Sequence, residues 1–487
     1  MDTRNGEVNS VHHTASGEAR DLLVVGQTSQ GVEIHATLVR LTRYLAVFEI
    51  YNPGLVLRTS EVFSDFKILF RDRAIYAGRA VVRTLVDTGL MIICEASLNA
   101  NSWMDLEFNS EALWNGKLGD EFSGFMQEWQ KLYKVMPEFK IVVADMQSFL
   151  SDLRLWLEQV ELNVRSQPAG NREEFERNVL QKLRAPVLSA LDSLFERFEH
   201  VATKIEKELQ PAHAIYAKRQ LHPLVLCAPF MYRTFQKPLG YAGDYEMVNM
   251  MVRDAFQGGS AFARMLNLYF LNTPPVVAHR NRLDYLAELL VRETNRVARR
   301  GGIAKVLNLG SGPAVEVQAF LAESPSNLNA EFTLLDFNDE TVRHAEQALN
   351  HIKGKHHRNV QTRVIKKSVH QLLKEHSKSV SKLGNRSYDF VYCAGLFDYL
   401  SDHVCETLLS IFYDLVAPGG LTVVTNVDPH NPSRGWMEYV VDWHLFYRNS
   451  QEVANLVPKQ IPPDATRIIA EPTGVNTFVE IRKPEHA

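Results

Sequence analysis

The sequence predicts an α/β protein whose C-terminal part is a doubly wound, Rossmann-like sheet, preceded by a small β-barrel and a central helical region. Three observations predict it. Between Lys305 and Asn338 an apolar run (Val306, Leu307, Leu309) stops at a turn holding Gly310 and Gly312; a helical pattern follows, and a second apolar run, Phe332 to Leu335, ends on Asp336. Strand, tight loop, helix, strand and carboxylate make the unit that binds an adenosine-containing cofactor at the edge of a parallel sheet. The strand–helix alternation then continues to about residue 427, which predicts an open parallel sheet covered on both faces. Before residue 110 the pattern is instead one of short alternating runs, and from 111 to 220 it switches to helical spacing.

In chain order, residues 1–20 are polar and aperiodic and are expected to be a disordered tail. Residues 21–110 carry the runs LLVVG, VEIHATLVRL, YLAVFEIYN, GLVLRT, FKILF, AIYAGRAVVRTLV and GLMIICEASL, punctuated by Asn52-Pro53-Gly54 and Asp87-Thr88-Gly89, as in a small antiparallel barrel. In 111–220, Phe122, Phe125, Met126, Trp129, Leu132 and Tyr133 recur at helical spacing, as do Phe149, Leu153, Trp156, Leu157 and Val160. Pro137 begins or kinks a helix, 166–171 (SQPAGN) is a turn, and a second amphipathic stretch runs from Glu173 to about Leu209 with Pro186 inside it. These two long helices are expected to form a linker bundle or dimerisation arm.

Residues 221–300 are expected to be a helical lid and substrate region, with the loop KPLGYAGDYEMVN (237–249) and a last helix, AHRNRLDYLAELL, lying against the first strand of the sheet. Residues 301–487 hold that sheet. Its further elements are a helix over Asp339–Ile352, a strand over Val360–Lys366, a helix over Val369–Glu375, a strand over Tyr388–Cys393 and a helix over His403–Leu415. The turn Ala417-Pro418-Gly419-Gly420 leads into a fifth strand, Leu421–Val427.

Composition bounds the partners. The chain has 487 residues, a formal charge of -4 and a pI near 6.5, so no basic field recruits nucleic acid or anionic lipid. The four cysteines (Cys94, Cys227, Cys393, Cys405) show no metal-ligand spacing and read as reduced thiols in the cytoplasm. No signal peptide, no membrane span and no metal site is expected.

Residues from about 280 to 482 resemble a class I S-adenosylmethionine-dependent methyltransferase. The glycine turn is similar to that family's first motif, Asp336 to the acid after its second strand, and Ser368 to the position after its third. Tyr392 to Phe397 and Pro418-Gly419-Gly420 are similar to the segments after its fourth strand and before its fifth. The resemblance implies S-adenosylmethionine as cofactor, held by Asn308, Gly310, Ser311, Gly312, Asp336, Phe337, Asn338, Ser368, Ala394 and Gly395. A carboxylate at 336 can accept from both ribose hydroxyls, and a glycine turn lets the backbone approach the amino acid end. Asn308 departs from the family's usual acid, so Asp244 or Glu316 is expected to supply the missing charge; Ala314 stands at the third glycine position. A nicotinamide fingerprint would need glycine at 315, where this chain has Val315.

The segments GYAGDYEMVN, AHRNRLDYL, LNLGSGPAVE and AGLFDYL together resemble a bacterial family of biosynthesis proteins for the methyl ester of 3-hydroxypalmitic acid. That resemblance implies carboxyl methylation of a 3-hydroxy fatty acid, free or on an acyl carrier. Residues 21–110 resemble a PilZ-type barrel in arrangement. The cyclic di-GMP signature of that family is missing (Arg40 and Arg43 are wrongly spaced), which implies a degenerate barrel used for docking or as a dimer surface. A homodimer is expected.

For the catalytic centre the candidates are Tyr241, Asp244, Arg280, Arg282 and His430, with the arginines suited to clamping a carboxylate and His430 preferred as a base. For the acceptor they are Tyr245, Tyr399, Trp436, Tyr439, Trp443 and His444. Two other readings compete. One is a regulatory protein whose sheet only binds cofactor. The other is a methyltransferase acting on a protein or another metabolite. A nucleic-acid acceptor is disfavoured, because Ala394-Gly395-Leu396-Phe397 replaces the Asn/Asp-Pro-Pro-Tyr/Phe motif.

Overall fold

A computed structural model of the chain describes residues 22–50, 55–70, 73–87, 91–99, 102–104, 135–166, 172–325, 330–377 and 387–485. The expected tail at 1–20, the aromatic stripe from Phe122 to Tyr133, and the turns at 52–54, 88–89 and 167–171 lie outside the described residues.

Six antiparallel strands close the N-terminal barrel: β1 (Leu22–Gln27), β2 (Glu33–Leu41), β3 (Leu45–Ile50), β4 (Val62–Phe70), β5 (Arg73–Asp87) and β6 (Ile92–Leu98), in the order β1-β2-β3-β6-β5-β4 with β1 pairing β4. Period-two alternation drives closure. In β2 the side chains of Ile34, Ala36 and Leu38 point inward while their neighbours face solvent, and Phe48, Phe63 and Phe66 fill the centre.

The described part of the run GLVLRT, residues 55–59, is not a strand. Over residues 55–58 its alternation serves two cores at once: Leu55 and Leu57 pack in the barrel, whereas Val56 packs against the C-terminal sheet. A segment apolar on both faces has no solvent side and therefore sits at a seam.

The helical region is no detached linker. Helices α1 (Pro137–Arg165) and α2 (Arg172–Ala202) pack on α3 (Gln210–Val225), α4 (Pro229–Gln236), α5 (Tyr245–Val252) and α6 (Ala261–Phe270) in one core, which Trp436 and Tyr439 join from a helix beyond the fifth strand of the sheet. Glu199 of α2 accepts from the backbone N–H groups of Gly435 and Trp436, both at 2.7 Å, and so caps that helix from another domain. Trp156, counted in the sequence stripe, faces outward at 47% exposure while Leu153 and Leu157 are buried. Among the described residues no helix is long and apolar enough to cross a membrane.

Helix α7 (Pro274–Ala298) leads into β7 (Ala304–Leu309), then α8 (Val315–Glu323), β8 (Ala330–Asp336), α9 (Asp339–Lys355), β9 (Gln361–Lys366), α10 (Val369–Ser377), β10 (Tyr388–Cys393), α11 (Asp402–Leu415), β11 (Val416–Val427) and α12 (Arg434–Val440). The seven-stranded sheet runs β12-β13-β11-β10-β7-β8-β9. Its last two strands, β12 (Thr466–Ala470) and β13 (Asn476–Arg482), form a hairpin, and β13 pairs antiparallel with β11. The sequence reading stopped at five strands and missed this hairpin. The strand order reverses between β7 and β10, which opens a crevice at their carboxyl ends.

Candidate cofactor and acceptor site

That crevice opens into a large cavity walled by the glycine turn, the ends of β8 and β10, the 241–245 loop, helices α2, α4, α5, α6 and α7, and Val56, Arg58 and Thr59 from the barrel. After β7 the chain turns sharply because Gly310 and Ser311 donate their N–H groups to the Leu335 carbonyl at the end of β8, at 2.8 and 3.1 Å. Gly312 has φ +51, and a Cβ built there would meet nothing but open cavity. A side chain at that position would both strain the backbone and invade the space a ligand would use.

Asp336, 6% exposed, accepts from the backbone N–H of Gly312 and of Asn338, each at 3.1 Å. Burial raises its carboxyl above the usual range; those two donors act in the opposite sense. Phe337 lines the cavity beside it, 4.9 Å from the Tyr241 ring.

At the other end of the turn, Asn308 Nδ2 donates to Glu316 Oε1 at 3.2 Å, and Tyr392 donates to the same oxygen at 2.6 Å. Asn308 Oδ1 and Ser311 Oγ are buried without a hydrogen-bond partner, although both residues line the cavity. Buried acceptors left unmet are costly. An ammonium group is what such a pair would satisfy, with Glu316 supplying the acid that Asn308 lacks. The residues present therefore fit the amino acid end of S-adenosylmethionine, and Asp336 fits its ribose. Of the two acids expected to compensate for Asn308, Glu316 is adjacent. Asp244 is occupied elsewhere.

Of the sequence candidates, Asn308, Gly310, Ser311, Gly312, Asp336, Phe337, Ala394, Gly395, Tyr241, Tyr245, Arg282, Tyr399, Trp436 and Trp443 are brought together on the cavity wall. The others are not. Asp244 caps α5, accepting from Met247 N at 2.8 Å and Arg233 Nε at 2.9 Å. Arg280 ties down the carbonyls of Met251 and Leu271. Asn338 caps α9 through Oδ1, and Ser368 accepts from Gln371 N, so Lys367 and Val369 take the wall position after β9.

His430 bonds Asp428 at 2.6 Å and its side chain is 89% exposed, facing away from the cavity. His444 is buried in the seam with the barrel, where its backbone meets Ser60 Oγ. Tyr439 packs on Phe139 and Phe198. Burial drives the Tyr241 and Tyr399 phenols upward, so neither is a base at neutral pH.

Two wall residues escaped the sequence reading: His279 on α7 and Arg58 in the barrel. Arg282, 7% exposed, lies against Gly395 and donates through Nη2 to His279 Nδ1 at 2.7 Å. Burial and the charges of Arg282 and Arg280 hold the His279 pKa well below its usual value. With Nδ1 accepting, the neutral ring carries its proton on Nε2. The signal was present in AHRNR as a histidine one helical turn before Arg282, but nothing local marks which face of α7 meets the cavity. Beyond this pair the walls are mainly apolar: Phe230, Met231, Met251, Phe270, Val276 and Trp436 form a chamber that runs into the helical region, with Thr234, Thr273, Asn431 and Ser433 as its polar members. Among the described residues no cluster of His, Cys, Asp and Glu is placed to hold a metal.

Residues 307–422 match the family model of a methyltransferase domain. The span runs from within β7 to within β11 and includes the glycine turn, Asp336 and Gly395. The chain thus carries a methyltransferase domain. No curated protein matches it.

Similar solved structures include a Bordetella parapertussis protein described as a possible exported protein, at 16% identity and TM-score 0.38, covering 52% of this chain and 86% of that one. Magnesium protoporphyrin IX methyltransferase from Synechocystis PCC 6803 with bound S-adenosylmethionine is similar at 12% identity and TM-score 0.30, covering 43% of this chain and 82% of that one. The N-methyltransferase NodS from Bradyrhizobium japonicum, in complex with S-adenosyl-L-homocysteine, is similar at 14% identity and TM-score 0.30, covering 52% of this chain and 100% of that one. Likeness at that level says nothing of this chain's acceptor.

Proposed function

We propose that this enzyme methylates the carboxylate of a long-chain 3-hydroxy fatty acid, free or delivered on a carrier, to give a methyl ester. One observation carries the reading: the apolar chamber meets the cofactor cradle at the buried Arg282 and the half-buried His279 that it bonds. An acyl chain suits walls of Phe230, Met231, Met251, Phe270 and Val276, where burying each methylene contributes about 0.8 kcal/mol.

The bound cofactor supplies an electrophilic methyl group on a sulfonium. The protein's part is alignment, which can contribute about 7–11 kcal/mol when reacting atoms are held in line. Asn308, Ser311 and Glu316 hold the amino acid end of the cofactor and Asp336 the ribose. Arg282 keeps His279 in the Nε2–H tautomer, and that N–H, with the neighbouring positive charge, orients the acceptor carboxylate. A carboxylate is already ionised at neutral pH and needs no base, in keeping with a cavity whose titratable groups include two raised phenols and a histidine held neutral.

The test is incubation of the full chain with labelled S-adenosylmethionine and a series of 3-hydroxy and plain fatty acids, read by mass spectrometry. A gain of one methyl on the carboxyl of the long-chain 3-hydroxy acids is the expected result. Binding of the cofactor with no turnover of any fatty acid, alongside methylation of some other species in a lysate, would replace the acceptor and leave the methyltransferase assignment standing.

A further inference from the structure

The wall of the cavity facing Phe337 does not come from the sheet. It comes from Val56, Arg58 and Thr59 of the barrel, more than 270 positions away in sequence. Arg58 is 5% exposed, and its guanidinium carbon lies 4.1 Å from the centroid of the Phe337 ring and 5.4 Å from that of Tyr241. One amine, Nη2, donates to Ser29 Oγ at 3.3 Å, whereas Nε is buried with no partner.

The loop carrying Arg58 is anchored on every side. Glu61, fully buried, accepts from the backbone N–H of Arg58 at 3.1 Å and of Ser29 at 3.0 Å. Thr59 N donates to the Tyr399 carbonyl, Val62 N donates to the Gly240 carbonyl, and Ser60 Oγ donates to the His444 carbonyl at 2.9 Å. Ser60 is held at φ +59, a conformation that a residue with a Cβ adopts only under constraint. Gly240, at φ +81, has no room for a Cβ because Ser29 would stand 2.9 Å from it.

A seam between two domains has no need of a buried cation with an unmet donor; an apolar side chain would fill the space at lower cost. The residue beneath Arg58 is the aromatic that follows Asp336, and the Arg58 charge acts on that carboxylate. These facts point to a ligand beside the stacked pair.

We propose that Arg58 is a cofactor-binding residue supplied by the barrel, whose planar cation stacks on Phe337 and whose free Nε–H meets an acceptor atom of the adenosyl group. The barrel is then one wall of the catalytic site, and cofactor affinity depends on its docking. This rests on the methyltransferase reading above, and it assigns the barrel a role that does not involve a ligand of its own.

Isothermal titration calorimetry on the full chain tests it, with S-adenosylmethionine and S-adenosylhomocysteine as probes and Arg58→Ala, Arg58→Lys and Arg58→Gln as variants. Removal of the stack and a charge-assisted hydrogen bond should raise Kd about tenfold for both ligands in Arg58→Ala. Arg58→Lys should recover part of the loss, since it keeps the charge without the planar fork. Circular dichroism and ligand-free melting identify folded variants; if Arg58→Ala fails to fold, the Lys and Gln variants decide by the same criterion. Unchanged Kd in the folded variants overturns the role of Arg58 while leaving the enzyme assignment intact. Failure of the unmodified chain to bind either compound overturns both.

Discussion

Asn308 gives its amide hydrogen to Glu316 at 3.2 Å and keeps its carbonyl oxygen buried and unmet. In the proposed site the pair divides the work of one acid between two residues: Asn308 presents an acceptor, and the Glu316 carboxyl stands behind it. Burial raises the Glu316 carboxyl, while Tyr392, Arg282 and Asn308 act to lower it, so its ionisation should be sensitive to the arrival of a cation. Asn308→Ala should weaken S-adenosylmethionine more than tenfold, at about 1.5–3 kcal/mol for a hydrogen bond to a charged group. Asp336→Ala should weaken it further. Equilibrium dialysis with labelled cofactor measures both, and retention of full affinity by either variant would remove that residue from the cradle.

His279 and Arg282 separate the acceptor from the cofactor in a second measurement. Replacement His279→Ala should raise the KM for the acid about tenfold with cofactor Kd nearly unchanged, since only the acceptor-side hydrogen bond is lost. Equal effects on both ligands would place the histidine at the cofactor instead.

Chamber length should set chain preference. Met251 lines the wall and is 4% exposed. Met251→Trp is expected to shift the preferred acyl chain toward shorter acids, at about 1–3 kcal/mol of stability for the added bulk. A turnover profile across chain lengths reads this directly, and an unshifted optimum would mean that the acceptor does not enter this arm.

The interface between helical region and sheet carries a pH signature. Asp442 is 8% exposed and accepts from Lys218 Nζ at 2.7 and 2.8 Å. Burial pushes its carboxyl upward, but Lys218 and Lys237 outweigh that and hold it well below the usual range. A depressed carboxyl stabilises the fold above its unfolded pKa, and that stability is lost as pH falls through the lower, folded value. Asp442 sits at φ +50, a conformation asparagine tolerates, so Asp442→Asn isolates the charge. At pH 7 the variant should be about 3 kcal/mol less stable. The gap should begin to narrow as pH falls below the ordinary Asp range, because the loss runs from the unfolded value down to the lower folded one. Urea melts from pH 7 down to pH 3 measure it, and a gap independent of pH would refute the account.

How much of this could be read beforehand differs from element to element. The β7 turn, β8 and Asp336 were legible because a strand, a glycine turn and a terminal acid are encoded within 34 consecutive residues, Lys305 to Asn338. The barrel was legible as alternation, except at GLVLRT, where alternation marked a seam rather than a strand. The β12–β13 hairpin was missed, although RIIA and NTFVEIR are β-branched runs around a Thr473-Gly474 turn. His430 was favoured for its place after the fifth strand, yet its side chain points to solvent and His279 faces the cavity instead.

By itself the sequence determined a glycine-turn nucleotide unit with its carboxylate, the sheet built around it, and a β-rich module and long helices ahead of it. Periodicity and turn chemistry are local, and local rules suffice for those. The tertiary structure decided that the helices wall an apolar chamber beside the glycine turn and that the barrel brings Arg58 onto Phe337. Such contacts join residues hundreds of positions apart. Their geometry depends on which faces bury together, and no short window of sequence contains that information.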